Sequence, residues 1–197
     1  MRAGEDRIVT IPNAISIVRL CCIPLFLWLL FGRDDRLAAA WLLAGLGATD
    51  WVDGYVARHF DQVSTLGKVL DPTADRLLLA VGVVALMVDG SVPMWIGVLT
   101  LVREVLVSGA VLLLAAMGAR RIDVQWVGKA GTFALMFAYP LFLLSHAGTR
   151  VDDAARVAAW ICAIPGLVLS YYAAYTYVPL ARQALAEGRA RSEVPVP

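Results

Sequence analysis

Long apolar runs separated by short polar connectors make up most of this 197-residue chain. A helix that crosses a membrane needs about 20 mostly apolar residues. Six runs meet that requirement, at about 13–31, 37–57, 67–88, 92–117, 125–146 and 154–178. They are too long for the strands of a membrane barrel, so each is predicted to be a helix. The pattern therefore predicts an all-α integral membrane protein with six transmembrane helices.

Composition supports a bilayer as the surroundings of the chain. Only 17% of the residues are charged, against about 25% in soluble proteins. The net charge of +1 gives no reason to expect a nucleic-acid partner. No linker-like stretch divides the sequence, so residues 1–197 are predicted to form a single membrane-embedded domain with a polar C-terminal tail at 183–197. No small-residue cleavage site follows the first apolar run, which we interpret as a span and not as a removed signal peptide.

The connectors predict an orientation in the membrane, because lysine and arginine favour cytoplasmic loops. With six spans, both termini and the connectors near 58–66 and 118–124 lie on one side. That side holds nine of the counted basic residues and the other side holds four. We therefore expect both termini to be cytoplasmic, in a plasma-membrane protein.

Acidic residues cluster where the second and third spans meet, in "DWVDGYVARHFDQVSTLGKVLDPTAD", residues 50–75. Asp50 and Asp53 are three positions apart, and Asp71 and Asp75 are four apart, so each pair shares a helix face. A short connector makes the two helices antiparallel neighbours, so all four carboxylates can converge. Converging carboxylates repel one another unless a cation holds them. Carboxylate oxygens without nearby His or Cys favour Mg²⁺ or Mn²⁺ over zinc.

The same residues have a structural alternative. The carboxylates could form ion pairs with a nearby basic residue, the candidates being Arg58, Arg76, Arg103 and Lys129. Ionised residues within membrane spans are usually functional, and four of them on two facing helices favour the metal site. Arg58 suits a phosphate that accompanies a metal, or it could reach the membrane interface. The glycines beside the acids could admit a substrate close to the backbone or pack helices together.

The stretch also resembles a known family signature. It fits the pattern D-x2-D-G-x2-A-R-x8-G-x3-D-x3-D of the CDP-alcohol phosphatidyltransferase family, and a chance match is on the order of 10⁻⁹ per start position. The matching positions are Asp50, Asp53, Gly54, Ala57, Arg58, Gly67, Asp71 and Asp75. Three further stretches, "TIPNAISIVRL", "LVREVLVSG" and "VGKAGTFALMF", resemble the branch of phosphatidylglycerophosphate and cardiolipin synthases. The resemblance covers most of residues 9 to 140.

This resemblance implies a six-helix membrane enzyme, often a homodimer, with a cytoplasmic cavity and two divalent metal ions. Asp50, Asp53 and Asp71 would bind the metals, and Asp75 would both bind metal and act as the base on the acceptor hydroxyl. The residues implied to bind the CDP group are Gly54, Ala57, Arg58 and Gly67. The expected reaction transfers a phosphatidyl group from CDP-diacylglycerol to a glycerol-type alcohol and releases CMP.

The acceptor alcohol depends on the basic residues of later helices. Relatives that use glycerol 3-phosphate are similar in this region but carry two further cations, where this chain has Val111 and Gly131. Arg103 and Lys129 are present and are predicted to bind the acceptor. A phosphomonoester is close to a dianion, and burying it without partners would be costly. The sequence therefore favours phosphatidylglycerol, a phosphodiester, as acceptor and cardiolipin as product.

Other interpretations stay open at this point. Arg19, Arg120 or Arg121 could supply the missing charge, which would make the chain a phosphatidylglycerophosphate synthase. A membrane prenyltransferase also binds magnesium through aspartates, but would spread its acidic motifs over more helices. A divalent-cation transporter is the alternative outside the enzymes, although transporters usually have charged or broken helices in two repeated halves.

Overall fold

The computed structural model describes the backbone of residues 11–60, 67–116 and 126–192, and the side chains of 17–49, 74–112 and 126–176. The described backbone is helical throughout apart from short connections, and it contains no strand. The helices are α1 (Ile11–Leu27), continued by a π-helical turn (Trp28–Gly32), α2 (Arg36–Phe60), α3 (Gly67–Asp89), α4 (Met94–Ala116), α5 (Trp126–Leu144) and α6 (Asp152–Ser192). The predicted all-α fold with six helices is confirmed.

Three of these helices contain described segments long and apolar enough to cross a membrane, namely Met94–Leu112, Trp126–Leu144 and Asp152–Thr176. Two shorter apolar stretches, Ile17–Gly32 and Arg36–Thr49, lie in the first part of the chain. Helix α6 continues well beyond its apolar segment into the predicted polar tail. Large apolar side chains are exposed on several helices, including Val88, Val105 and Ile161, as expected of a surface that faces lipid and not water.

Short polar residues set where the helices begin and end. The Asp35 carboxylate accepts a hydrogen bond from the backbone N–H of Ala38 at 2.9 Å, which caps the start of α2. At the end of α3, Gly90 adopts a φ of +80°, which allows the chain to turn. Asp152 accepts hydrogen bonds from the N–H groups of Gly148 and Thr149 at 3.0 and 2.8 Å, and α6 begins there.

The chain forms two compact units, one of residues 1–94 with 136–159 and the other of 95–135 with 160–197. In the first unit α1 packs against α3 and α2. Fully buried side chains from α1, the π-helical turn and α3 fill this core, among them Phe26, Leu30 and Leu86.

Two contacts define how α2 and α3 are aligned within this unit. The Arg36 guanidinium donates two hydrogen bonds to the Asp89 carboxylate, at 3.0 and 3.2 Å, so the start of α2 meets the end of α3. Seven positions further along α2, Leu43 lies 3.9 Å from where a Cβ on Gly82 would be, seven positions back along α3. The two helices are therefore antiparallel, as the short connector predicted.

In the second unit α5 and α6 approach each other very closely. A Cβ on Gly131 would lie 2.6 Å from Ser170 Oγ, 2.7 Å from Ser170 N and 2.9 Å from the Gly166 carbonyl oxygen. A Cβ on Gly128 would lie 3.3 Å from that of Ala173. Small residues on both sides allow the two backbones to come together. Position 131 therefore accommodates only glycine while the helices pack in this way.

Helix α4 meets α6 in the same unit. The rings of Trp95 and Trp160 are 5.9 Å apart, and the Tyr171 hydroxyl donates a hydrogen bond to the Leu99 carbonyl at 2.8 Å. Helix α6 therefore contacts both α4 and α5. The position of a residue along α4 or α5 can then be expressed as the α6 residue that lies level with it.

The glycine contact yields a first prediction. Gly131→Ala should destabilise the protein by about 1–3 kcal/mol, because the added methyl group overlaps the α6 backbone. Thermal unfolding in detergent micelles measures the change. Gly109→Ala is the matched control, since no described atom lies within 4 Å of a Cβ there and alanine favours a helix by about 1 kcal/mol. Equal melting temperatures for the two variants would contradict the close packing of α5 and α6.

Candidate active site

The alignment of α2 and α3 brings the acidic positions to one level. Arg36 pairs with Asp89, and because both helices rise by the same amount per residue, each step forward along α2 matches one step back along α3. Continuing in this way places position 50 beside 75, position 53 beside 72 and position 54 beside 71. The contacts between the start of α2 and the end of α3 thus support the predicted convergence of the acidic residues near the α2–α3 connector.

Most of the predicted site residues have their side chains outside the described part of the structure. This holds for Asp50, Asp53, Gly54, Ala57, Arg58, Gly67 and Asp71, whose backbone lies in α2 or α3. Their roles stay predictions that rest on the helical backbone, the spacing and the alignment of the two helices.

Asp75 is the member of the acidic cluster whose side chain is described. Its carboxylate is 43% exposed and forms a salt bridge with the guanidinium of Arg19, which lies on α1 and is only 5% exposed. From the sequence, the ion-pair candidates for the cluster are Arg58, Arg76, Arg103 and Lys129, and Arg19 is a candidate only for charge at the acceptor. A single arginine inside the first apolar run was the available signal, because such residues seldom occur in spans without a role.

The donor set fits a divalent cation of the hard type. All four predicted ligands are carboxylates, whose oxygen atoms Mg²⁺ and Mn²⁺ prefer. Among the described side chains no cluster of three or more His, Cys, Asp or Glu occurs, and three of the four aspartates lie outside that part of the chain. The fit therefore rests on the chemistry of the ligands and on the helix alignment.

Arg103, a predicted acceptor-binding residue, is mostly buried on α4. One of its terminal nitrogens donates to the neighbouring Glu104 carboxylate at 2.9 Å, and the Ser108 hydroxyl donates to the other Glu104 oxygen at 3.2 Å. Its side chain is 13% exposed, and among the described residues no acceptor faces its buried Nε. Glu104 thus holds one part of the guanidinium and leaves a further N–H donor for an anion.

Lys129, the second predicted acceptor-binding residue, lies exposed on α5 with its ammonium 5.6 Å from the centre of the Trp126 ring. The contacts of α5 with α6 place Lys129 level with about residue 172 of α6. The contacts of α4 with α6 place Arg103 level with about residues 168 to 175. The level of Lys129 thus falls within the range found for Arg103.

The two positions that lack a cation have different surroundings. Val111 is half-exposed on α4. Gly131 faces the backbone of α6, which leaves no room for any side chain. Neither position supplies a positive charge to an acceptor.

Together these features define a class of protein: a helical membrane enzyme with an acidic helix pair in one unit, and a mostly buried arginine and an exposed lysine in the other. The chain belongs to the CDP-alcohol phosphatidyltransferase family, whose family model matches residues 9–171. It is a phosphatidyltransferase of phospholipid biosynthesis, as the signature predicted. Members of the family act in membranes, use divalent metal ions and join a CDP-alcohol donor to an alcohol acceptor.

Relatives of two kinds resemble the chain over most of its length. The "Cardiolipin synthase (CMP-forming)" of Streptomyces coelicolor is 38% identical over 187 residues, covering 92% of this chain and 87% of the relative. The "Probable phosphatidylglycerophosphate synthase" of Mycobacterium tuberculosis is 34% identical over 181 residues, covering 89% and 83%. The "CDP-diacylglycerol--glycerol-3-phosphate 3-phosphatidyltransferase" of Rickettsia bellii is 31% identical over 166 residues, covering 82% and 91%.

Proposed function

We propose that the protein transfers the phosphatidyl group of CDP-diacylglycerol to phosphatidylglycerol, forming cardiolipin and CMP. The observation that supports this choice is the surroundings of Gly131, where α6 excludes a cationic side chain. With Val111 apolar as well, Arg103 and Lys129 are the two cations left of the predicted set. Two cations suit a phosphodiester with a single negative charge better than a phosphomonoester close to a dianion.

Phosphatidylglycerophosphate synthase is the second candidate. The Mycobacterium tuberculosis and Rickettsia bellii relatives carry names of that activity. The further N–H donor of Arg103 also suits any acceptor phosphate. This candidate needs additional charge, for which Arg120 and Arg121 are available in the sequence. The family match favours either enzyme over the cation transporter.

In the proposed reaction Asp50, Asp53, Asp71 and Asp75 would hold two Mg²⁺ or Mn²⁺ ions. When bound, such ions would supply the positive charge that neutralises the donor diphosphate and the departing CMP. Asp75 accepts the proton of the acceptor hydroxyl, which makes that oxygen a competent nucleophile. The oxygen bonds to the β-phosphorus while the bond from that phosphorus to the bridging oxygen breaks, and CMP leaves with that oxygen.

The remaining roles concern the donor and the membrane. Gly54, Ala57 and Gly67 let the CDP group approach the backbone, and Arg58 donates to its phosphates. The excess of basic residues supports a plasma-membrane protein with both termini and the site on the cytoplasmic side. We also propose a homodimer, as the family resemblance implies.

Asp75→Asn and Asp71→Asn test the metal and base assignments. Each should lower CMP release by at least about 100-fold, because the amide neither takes up the proton nor binds the cation as a carboxylate does. Asp89→Asn on the same helix is the control. Its carboxylate is also paired with an arginine, so it should lower the melting temperature and leave turnover of the folded protein intact. Near-normal CMP release by either site variant would rule out its assigned role.

A competition between acceptors tests the proposed reaction. The purified protein, in mixed micelles with CDP-diacylglycerol and Mn²⁺, is offered phosphatidylglycerol or glycerol 3-phosphate, and CMP and lipid products are followed together. We expect cardiolipin from phosphatidylglycerol and no phosphatidylglycerophosphate. Product from glycerol 3-phosphate alone would establish the second candidate and mean that other cations hold its phosphate.

Arg103→Met tests the acceptor site. The KM for phosphatidylglycerol should rise by about 10- to 100-fold, the effect of losing a charge-assisted hydrogen bond, with the KM for CDP-diacylglycerol unchanged. Arg156→Met is the control, because Arg156 is exposed on α6 with only a loose pairing to Asp153, at 3.7 Å. An unchanged acceptor KM in Arg103→Met would remove this residue from the site.

A further inference from the structure

Helix α3 carries two aspartates that are each paired with an arginine from a neighbouring helix, but the two pairs are built differently. Asp89 is 5% exposed, and it accepts two hydrogen bonds from Arg36 and one from the Ser91 hydroxyl. In the other pair the arginine is the buried partner: Arg19 is 5% exposed, while Asp75 is 43% exposed. The Asp75 side chain is thus partly exposed, while its arginine partner is enclosed.

The partly exposed carboxylate of Asp75 belongs to the predicted metal-binding cluster. Position 75 lies level with position 50, and Asp53 and Asp71 are within one turn. Four carboxylates at one level carry a charge that must be compensated whether or not an ion is bound. Arg19 supplies one positive charge to this cluster from α1.

We propose that Arg19 is a positioning residue of the metal site: its guanidinium holds the Asp75 carboxylate when no ion is bound, and it limits how tightly a divalent ion binds. The inference rests on the proposed function, since the metal site is assigned there. It adds a residue from α1 to a site otherwise made by α2 and α3.

Two physical properties of Arg19 support this role. A guanidinium stays charged at any pH at which the enzyme works, so the positive charge cannot be lost. The side chain is enclosed where α1 packs against α3, so it cannot move into solvent when a cation arrives. A divalent ion must therefore share the Asp75 carboxylate with a fixed positive charge that repels it. The ion binds more weakly than four carboxylates alone would hold it.

The test is Mn²⁺ binding to the purified, metal-free protein in micelles, measured from the electron paramagnetic resonance signal of free Mn²⁺. In Arg19→Gln the Kd for Mn²⁺ should fall by about tenfold or more, the scale on which outer-shell partners act on metal sites. The metal-free variant should also melt at a lower temperature than the wild-type protein, because the carboxylates repel one another. Added Mn²⁺ should remove this difference in melting temperature. Arg19→Met is the second neutral variant, for use if the glutamine variant does not fold.

Two controls separate this role from ordinary stabilisation by an ion pair. Arg36→Gln breaks the pair with Asp89 at the other end of α3, about 21 Å away at the rise of an α-helix. It should lower the melting temperature with and without Mn²⁺ and leave the Kd for Mn²⁺ unchanged. Arg19→Lys keeps the charge, so its Kd should stay within about threefold of the wild-type value, well short of the change expected for loss of a partner.

The outcomes distinguish this inference from the proposed function. If wild-type protein binds Mn²⁺ and Asp71→Asn does not, the metal site stands. An unchanged or higher Kd in the neutral Arg19 variants then shows that Arg19 has only a structural role. If the wild-type protein binds no Mn²⁺, or if Asp71→Asn binds it equally well, the metal assignment itself is wrong and the role of Arg19 fails with it.

Discussion

A charged side chain on an apolar helix must meet an opposite charge, because removing an unpaired charge from water costs far more than the fold can supply. In this protein that requirement is concentrated on α3. Asp75 is paired with Arg19 from α1, and Asp89 with Arg36 from α2. Each pair joins one position on α3 to one position on a neighbouring helix, so the two pairs show how the three helices are aligned.

The alignment has a consequence for the site that lies at the other end of the helix pair. Regular helices of equal rise transmit the position of one contact along their whole length. The pairing of Arg36 with Asp89 therefore indicates which positions lie level near the α2–α3 connector: 50 with 75, 53 with 72 and 54 with 71. The ion pair at one end of the helices thus marks the alignment from which the site at the other end is inferred.

The sequence predicted the features that depend on local spacing and missed those that depend on packing. Apolar run lengths predicted the six helices, and the fixed spacing of the signature predicted the family. Arg19 and Asp75 are far apart in the chain and meet only because α1 packs on α3, so spacing alone could not pair them. The two compact units likewise depend on packing, since no linker separates them and each draws on two distant segments.

The acceptor question shows why a missing charge is hard to interpret from sequence alone. Gly131 could lack a side chain because the acceptor needs no cation there, or because α6 needs the space. The structure shows that the space taken by α6 is enough to explain a glycine at position 131. While α5 and α6 pack in this way, no cation can occupy that position for any acceptor. A cation at 131 would require changes at Gly166 and Ser170 at the same time, so that α6 moves away. A cation at position 131 and the present packing of α5 on α6 therefore exclude each other in this chain.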